Sequence, residues 1–304
     1  MQQLSAVMKK RLAEFVDRDR EIARFGQILD SPDGPHIMAV WGESGMGKTS
    51  LLARMMHECS LREIHKAEVI WKDSNPPDYM AVMRKIRDDM GADHFQSFTD
   101  LVNYFFQAGY QPHIEVNLRL SDTTRIRVAE GMHVTDASVG DVAGVVIKDC
   151  MIVIPRTDMA VPEAERRARL TERFVEDLKR ALAERPLVVF FDAVEKMSAD
   201  TESWLWEQLL DVVRSEQVPA VKFVLCGQKP PPHDRDWRDF VEEAVLVPLA
   251  LGDVVHYLEK RFPELSAAEH QSIADLICAM TTGNPAKVAD MADALAKIRE
   301  QRAA

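Results

Sequence analysis

The segment from Gly42 to Thr49 has residue types and a spacing suited to holding a polyphosphate. It fits the pattern GxxxxGK[ST] and reads Gly42-Glu43-Ser44-Gly45-Met46-Gly47-Lys48-Thr49. Glycines let the backbone close around phosphates without Cβ clashes, so that several N–H groups point inward. We predict that Lys48 reaches the β- and γ-phosphates of a nucleotide and that the Thr49 hydroxyl takes one Mg²⁺ position. Ser50 is predicted to contact the α-phosphate.

A pair of acidic residues follows an apolar segment later in the chain. Residues 187–191 are all apolar, and Asp192 comes directly after them. Ligands of α/β proteins bind at the carboxyl ends of the strands, so we predict that Asp192 holds Mg²⁺ together with Thr49. Glu195 either polarises an attacking water or is a solvated glutamate at the start of a helix. The two motifs together predict a site for Mg²⁺ and a nucleotide.

These motifs must be carried by alternating strands and helices. Short apolar runs bounded by turn residues predict strands at 36–41, 67–71, 187–191, 221–226 and 245–249. Apolar residues at helical spacing predict helices at 4–15, 17–30, 48–59, 77–91, 97–107, 162–184 and 201–215. This alternation predicts an α/β fold in which helices cover both faces of a mostly parallel sheet.

Two segments depart from the alternating pattern. Between residues 113 and 154 apolar residues recur with period two, which predicts three to five short antiparallel strands inserted into the α/β chain. This β insertion is either a partner-docking surface or a decoration without a partner. After residue 251 three helices are predicted, at 252–262, 266–281 and 284–302, and they form a C-terminal helical lid. The predicted divisions are N-terminal helices at 1–35, a core at 36–111, the insertion at 112–157, a second core segment at 158–250 and the lid at 251–304.

Read together, these residues resemble the STAND class of signal-transduction ATPases, within the wider AAA+ and Orc/Cdc6-like P-loop NTPases. The segment 15–22, Phe-Val-Asp-Arg-Asp-Arg-Glu-Ile, is similar to the family motif F-V-G-R-E-x-E-L, with Asp17 in place of the glycine. The segment 191–196 is similar to the Walker B region of the family, with Ala193 where an AAA+ protein usually has glutamate. Gln228 takes the place of the sensor 1 arginine, and Pro285 that of the proline in the GxP motif of the lid.

The resemblance implies a site for ATP or ADP with Mg²⁺ between the core and the lid. The nucleotide-binding residues that it implies are Phe15, Val16, Arg18, Gly42, Glu43, Ser44, Gly45, Met46, Gly47, Lys48, Thr49, Ser50, Pro248 and Pro285. The catalytic residues that it implies are Lys48, Asp192, Glu195 and Gln228. Glutamine can bond to a phosphate oxygen but cannot neutralise charge, so Gln228 predicts slow hydrolysis. The implied function is a nucleotide-dependent switch in bacterial signalling or defence that acts with separate effector or sensor proteins.

The composition narrows the class of protein. The chain has 38 basic and 49 acidic residues and a formal net charge of −11, so we expect a poor general nucleic-acid binder, although a local basic patch is compatible with this charge. The family resemblance implies a protein partner or self-association. No apolar run approaches the roughly 18 residues that span a bilayer, and no signal peptide is present, so we expect a cytoplasmic protein. Four cysteines are scattered without a CxxC motif, which favours buried or idle thiols over a metal or disulfide role.

Two other functions stay open. A DNA-associated AAA+ loader or transposition ATPase shares the core but needs a basic track, and the net charge and Ala193 count against it. A nucleotide-binding scaffold that hardly hydrolyses fits the presence of Gln228. The chain has no Asn/Thr-Lys-x-Asp motif, and this favours adenine over guanine.

Overall fold

The computed structural model describes most of the chain outside its N-terminus and a long central segment. The described residues are 15–31, 34–72, 76–109, 118–119, 133–135, 146–147, 151–153, 161–183, 186–215, 218, 220–230 and 235–303. The chain divides into two compact units, one formed by Met1–Met90 with Ala181–Ala304 and the other by Gly91–Arg180. The predicted helix at 4–15 and the predicted boundaries at 112 and 157 lie outside the described residues, so those boundaries stay predictions.

Strands and helices alternate along the first unit. The strands of the described chain are β1 Ile37–Trp41, β2 His65–Ile70, β3 Leu118–Arg119, β4 His133–Thr135, β5 Val146–Ile147, β6 Met151–Val153, β7 Leu187–Asp192, β8 Val221–Gly227 and β9 Val241–Val245. The α-helices are α1 Asp19–Asp30, α2 Lys48–Leu61, α3 Tyr79–Met90, α4 Gln96–Gly109, α5 Glu163–Leu182, α6 Ala199–Trp204, α7 Asp211–Arg214, α8 Leu251–Arg261, α9 Ala267–Thr281 and α10 Pro285–Ala303. None of these helices is both long enough and apolar enough to cross a bilayer.

Five parallel strands form the sheet of the first unit, in the order β2-β7-β8-β1-β9. Every residue of β7 and β8 is buried, which is why both strands are mostly apolar in the sequence, with Lys222 and Asp192 as the charged members. Helices α1 and α2 pack on the sheet through Phe25 and Leu51, which join Phe190 in one core cluster. The α/β fold with a parallel sheet and surrounding helices is therefore confirmed.

The last strand of the sheet lies earlier in the chain than predicted. The prediction of a strand at 245–249 is wrong, because β9 covers Val241–Val245 and the next five residues have no regular structure. β9 pairs only with β1, so it is an edge strand, and its residues Glu242 and Glu243 are not buried. An apolar-run criterion misses such a strand because one side of it meets solvent. Pro248 has no N–H to donate to a neighbouring strand, and this disfavours a strand in the five residues after β9.

The helix predicted at 201–215 is interrupted. A π-helical turn at Leu205–Leu209 separates α6 from α7, and the Leu210 N–H donates to the carbonyl oxygen of Leu205 at 2.8 Å. Five large apolar side chains in this turn and next to it are buried. They are Trp204, Leu205, Trp206, Leu209 and Leu210.

The three C-terminal helices form a small cluster within the first unit. Helices α8, α9 and α10 share an apolar core that includes Val254, Leu258, Ile277 and Val288. Between α9 and α10 the chain turns at Gly283, whose φ is +73°. A Cβ on that glycine would lie 2.2 Å from the carbonyl oxygen of Leu249, so only glycine fits.

In its described residues, the second unit contains α4, most of α5 and four very short strands. The strands form two antiparallel pairs, β3 with β5 and β4 with β6, as the period-two pattern predicts. Phe174 lies 5.3 Å from Phe95 and 5.4 Å from Phe98, measured between ring centroids. The fully buried Asp177 accepts a hydrogen bond from the Phe98 N–H at 2.7 Å. This bond offsets part of the free-energy cost of burying a carboxylate.

Candidate functional site

The glycine loop connects the end of β1 to the start of α2. Gly45 and Gly47 have φ angles of +82° and +86°, in the left-handed region that other residues rarely adopt. A Cβ on Gly42 would lie 2.8 Å from the carbonyl oxygen of Leu246, so this glycine permits a close backbone approach. The loop therefore needs all three glycines, each for a steric reason.

Lys48 is the first residue of α2, and its side chain reaches back over the loop. Its Nζ donates to the carbonyl oxygen of Gly42 at 2.7 Å and to that of Glu43 at 2.8 Å. The cation thus lies at the positive end of a 14-residue helix, where backbone N–H groups lack partners within the helix. This combination suits an anion.

The carboxylate of Asp192 lies beside the start of α2. The Thr49 hydroxyl donates to Asp192 Oδ2 at 2.9 Å, and Asp192 Oδ1 accepts the Ala193 N–H at 2.9 Å. The two residues meet because β7 and β1 flank β8, so that the carboxyl ends of these parallel strands lie together. A hydroxyl and a carboxylate are oxygen donors of the kind that Mg²⁺ prefers, with water and phosphates supplying the other ligands. No cluster of three or more His, Cys, Asp or Glu suited to a metal occurs in the described part of the chain.

Glu195 and Gln228 form a pair at the same edge of the sheet. Gln228 donates its side-chain amide to Glu195 Oε1 at 2.9 Å and its backbone N–H to Glu195 Oε2 at 3.2 Å. The chain reaches this position through Ala193, whose φ of +60° is unusual for a residue with a Cβ. Gly227 allows the close approach, because a Cβ there would lie 2.7 Å from Val194 Cγ2. Gln228 was predicted to contact a phosphate, and the structure directs its amide to Glu195.

A buried thiol lies beside Asp192. Cys226 is paired in register with Asp192 on the neighbouring strand. Burial raises the pKa of the Cys226 thiol well above its ordinary value, and the nearby Asp192 carboxylate raises it further. The thiol is therefore protonated and adds no negative charge beside Asp192.

A cavity of about 420 Å³ opens over the glycine loop. It brings together most of the residues predicted to bind phosphates or act in catalysis. The predicted residues that line it are Ser44, Gly45, Gly47, Lys48, Thr49, Ser50, Asp192, Glu195, Gln228 and Pro285. Ala193, Lys196, Ala286 and Ala289 line it as well, and sequence reasoning did not assign them to the site. We call this space the phosphate cavity.

A second cavity, of about 230 Å³, adjoins the first and has mostly apolar walls. The predicted residues Phe15, Val16, Arg18, Met46 and Pro285 line it. Leu249, Tyr257 and Val288 complete the wall and were missed, because each reads as an ordinary core residue in the sequence. Four residues line both cavities, namely Gly47, Ser50, Pro285 and Ala289. We call this space the base cavity.

Arg18, which lines the base cavity, forms a hydrogen bond with the segment before the lid. Its Nη2 donates to the carbonyl oxygen of Val247 at 2.6 Å, and its Nη1 lies 3.1 Å from Asp17 Oδ2. Pro248 follows in that segment, but it is exposed and lies outside the described lining of both cavities. The structure therefore does not bring Pro248 together with the other predicted site residues.

The start of α10 contacts the glycine loop directly. The Asn284 side-chain amide donates to the carbonyl oxygen of Ser44 at 3.1 Å, and the Ala286 N–H donates to that of Gly45 at 3.0 Å. A Cβ on Gly45 would lie 2.6 Å from Asn284 Oδ1. The lid and the loop therefore share a hydrogen-bonded interface, which we call the lid–loop contact.

Comparison with known proteins gives one family match. A family model described as an AAA ATPase domain matches residues 14–225, which include the glycine loop, Asp192 and Glu195. No curated protein matches the sequence.

Several solved structures resemble this chain. A STAND protein with a tetratricopeptide repeat sensor from Pyrococcus horikoshii is 13% identical with a TM-score of 0.47, over 89% of this chain and 28% of that one. Cdc6p from Pyrobaculum aerophilum is 15% identical with a TM-score of 0.48, over 100% of this chain and 64% of that one. A Drosophila ORC structure, bound to DNA, is 11% identical with a TM-score of 0.49, over 95% of this chain and 62% of the matched one. This chain spans less than two thirds of the length of each of these three.

Proposed function

This chain belongs to the AAA ATPase domain family, and on that premise we propose that it is a slowly hydrolysing ATP-dependent switch of the STAND type. The observation that carries the proposal is the pair of adjoining cavities. An apolar space of about 230 Å³ suits a purine base, and it joins a charged space over a glycine loop that suits phosphates. A nucleotide is the ligand with an apolar ring at one end and a phosphate chain at the other.

The proposed binding mode follows from the residues at each end. The base lies among Phe15, Val16 and Pro285, and the phosphates lie over the loop N–H groups and Lys48. Thr49 and Asp192 hold Mg²⁺, which when bound neutralises charge on the phosphates.

Glu195 is the proposed group that orients the attacking water. In the structure both of its carboxylate oxygens accept hydrogen bonds from Gln228. A carboxylate held in this way is fixed in position and has fewer lone pairs left for a water molecule. Slow turnover is therefore the expected behaviour of this site.

The lid supplies the proposed output of the switch. Pro285 and Ala289 of α10 line both cavities, and the lid–loop contact joins α10 to the phosphate loop. A bound nucleotide contacts the core and the lid at once, so ATP and ADP can favour different lid positions. We propose that the lid position controls assembly with a separate effector or sensor protein in bacterial signalling or defence.

Nucleotide binding is tested with Lys48→Ala. Loss of a charge-assisted contact is expected to weaken ATP and ADP binding by about 10- to 100-fold, measured by isothermal titration calorimetry with Mg²⁺. Lys85→Ala is the matched control, since Lys85 pairs with Asp89 on α3 and lies outside the described lining of both cavities. Circular dichroism checks that both variants fold, and an unchanged affinity in folded Lys48→Ala contradicts the proposal.

Two further measurements separate the rival functions. Phosphate release is compared between the wild type and Glu195→Gln, and equal rates near zero favour a scaffold that hardly hydrolyses. DNA binding that depends on ATP and weakens with salt favours the DNA-associated loader.

A further inference from the structure

A third cavity, of about 330 Å³, adjoins the phosphate cavity through Glu195, which lines both. The rest of its described wall comes from the turn after β7, from α6 with the π-helical turn, and from the end of β8 with the residues after it. Its volume lies in the range of about 300–1,000 Å³ that is typical of pockets for small molecules. We call this space the side cavity.

The side cavity has an apolar wall that is held in place by packing. Leu205, Trp206 and Leu225 line it, and each is more than nine-tenths buried. Trp206 packs edge to face against Trp237, with 5.2 Å between the ring centroids. Leu225 lies inside the sheet, since β8 pairs with β1 on one side and with β7 on the other. A ligand would therefore meet a wall whose shape is already formed, which lowers the cost of binding.

The charged side chains of the side cavity favour a cation. Those that line it are the carboxylates of Glu195 and Glu202 and the ammonium of Lys229. Lys229 is exposed, so solvent and salt screen its charge, whereas Glu202 is half-buried. Negative charge therefore dominates next to the apolar wall.

Glu202 is the carboxylate that a cationic ligand would meet without competition. It belongs to α6, whose first turn is fixed by Ser198, which accepts the Thr201 N–H at 3.2 Å. Within the described part of the chain Glu202 has no ion pair. Glu195, by contrast, already accepts two hydrogen bonds from Gln228. A half-buried carboxylate without a counter-charge is stabilised by a cation that arrives with a ligand.

We propose that the side cavity is a binding site for a small organic cation with an apolar body. The body packs against Leu205, Trp206 and Leu225, and the cationic group pairs with Glu202. The two carboxylates oppose an anion, and a neutral molecule leaves Glu202 uncompensated. The site goes beyond the proposed function, because it needs no bound nucleotide.

The shared residue Glu195 gives the side cavity an influence on the phosphate cavity, and this consequence rests on the proposed function. A cation in the side cavity attracts the carboxylate that is proposed to orient the attacking water. Occupancy is therefore expected to slow phosphate release by about 2- to 10-fold. ATP affinity is expected to stay within about twofold, because the side cavity shares no described lining residue with the base cavity and only Glu195 with the phosphate cavity.

The test uses three ligands of nearly the same shape on the full chain without nucleotide. Benzamidinium is a cation, benzamide is neutral and benzoate is an anion, and ligand-observed NMR titration measures the affinity of each. Benzamidinium is expected to bind about 10-fold more tightly than the other two, since only it can form a charge-assisted bond with Glu202. Absence of benzamidinium binding, or equal or tighter binding of benzamide or benzoate, overturns the inference.

Two variants locate the bound probe. Glu202→Gln keeps the shape of the side chain but removes its charge, so affinity for benzamidinium is expected to fall by about 10-fold while affinity for benzamide stays within about twofold. Glu207→Gln is the matched control, since Glu207 is exposed on the π-helical turn and lies outside the described lining of the side cavity. Circular dichroism checks that both variants fold. Benzamidinium binding that is unchanged in Glu202→Gln, or equally weakened in both variants, overturns the site.

The influence on Glu195 has its own readout. Phosphate release from ATP is measured with and without benzamidinium, at the concentration that half-saturates the wild type. Slower release by the wild type and less slowing in Glu202→Gln support the influence, and equal rates with and without the bound probe overturn it. Failure of the proposed function gives a different result: ATP does not bind the wild type, while benzamidinium still does.

Discussion

At the scale of single residues, packing near the site is tight where β8 meets the turn after β7. Gly227 ends β8, and its missing side chain leaves room for Val194 and Glu195. The pair between Glu195 and Gln228 depends on this room, because Gln228 follows Gly227 in the chain. One methyl group at this position would therefore move Glu195, the residue proposed to act on water.

Gly227→Ala is expected to lower both stability and hydrolysis. The added Cβ would lie 2.7 Å from Val194 Cγ2, and overpacking of this kind costs about 1–3 kcal/mol in the free energy of unfolding. Urea denaturation measures the loss, and phosphate release measures the hydrolysis rate. Gly252→Ala is the control, because a Cβ at that helical position meets nothing within 4 Å and should stabilise the fold by about 0.4–1 kcal/mol. Equal stability of the two variants would contradict the close packing at Gly227.

At the scale of elements, α9 shows how a local sequence signal sets a helix start. Ser266 accepts the Glu269 N–H at 3.4 Å, and Glu269 accepts the Ser266 N–H at 2.8 Å, which is a capping box. The Ser266 hydroxyl also donates to Glu269 Oε2 at 2.6 Å. This bond first, and then the bond from the Ser266 N–H, lowers the pKa of the Glu269 carboxyl from its ordinary value of 4.5. The contribution of Glu269 to stability is therefore fully present above pH 4.5 and is lost as the pH falls through the lowered pKa.

Ser266→Ala is expected to reduce the free energy of unfolding by about 1 kcal/mol at pH 7, because the first turn of α9 loses its cap. The difference from the wild type should shrink as the pH falls below 4.5, since a protonated Glu269 no longer accepts these bonds as an anion. Thermal denaturation between pH 3 and pH 7 measures both effects. Ser272→Ala is the control, because Ser272 lies inside α9 and only bonds back to Ala268. A pH-independent difference would rule out the role of Glu269.

How far the sequence predicts each element depends on where that element lies in the fold. The buried strands β7 and β8 are evident as mostly apolar runs, because both faces are covered. The edge strand β9 was misplaced, because half of its residues face solvent. Within the candidate site, the loop Gly42–Thr49 and Asp192 are predictable from a local pattern. Tyr257 and Lys196 are not, because only the tertiary fold brings them to the cavities.

At the scale of the whole first unit, the lid–loop contact links the nucleotide site to the C-terminal helices. Asn284 has two roles there, since its amide donates to Ser44 and its Oδ1 accepts the Lys287 N–H at the start of α10. A change in the loop on nucleotide binding would reach α10 through these bonds. On the proposed function, the strength of this link would determine how long a bound nucleotide stays enclosed.

Asn284→Ala is expected to raise the nucleotide dissociation rate by about 2- to 10-fold, the effect of losing one hydrogen bond. Stopped-flow release of a fluorescent nucleotide measures the rate, and hydrogen exchange measures the opening of α10. Asn284→Ser keeps an N-cap oxygen but removes the amide, so it should show the same faster release. Asn103→Ala, at an exposed position on α4, is the control. Dissociation as slow as in the wild type would show that the contact does not hold the lid.

The hydrogen bond from Arg18 to Val247 joins residues 229 positions apart. Phe15 and Val16 meet Leu249, Tyr257 and Pro285 in one cavity, so the wall around the base combines the two distant ends of the described chain. During synthesis on the ribosome, which proceeds from the N-terminus, the glycine loop is made early but the base cannot be enclosed until α10 emerges. On the proposed function, a nascent chain would therefore begin to retain nucleotide only after α10 has been translated, and an ordered α10 would be a precondition for a loaded protein.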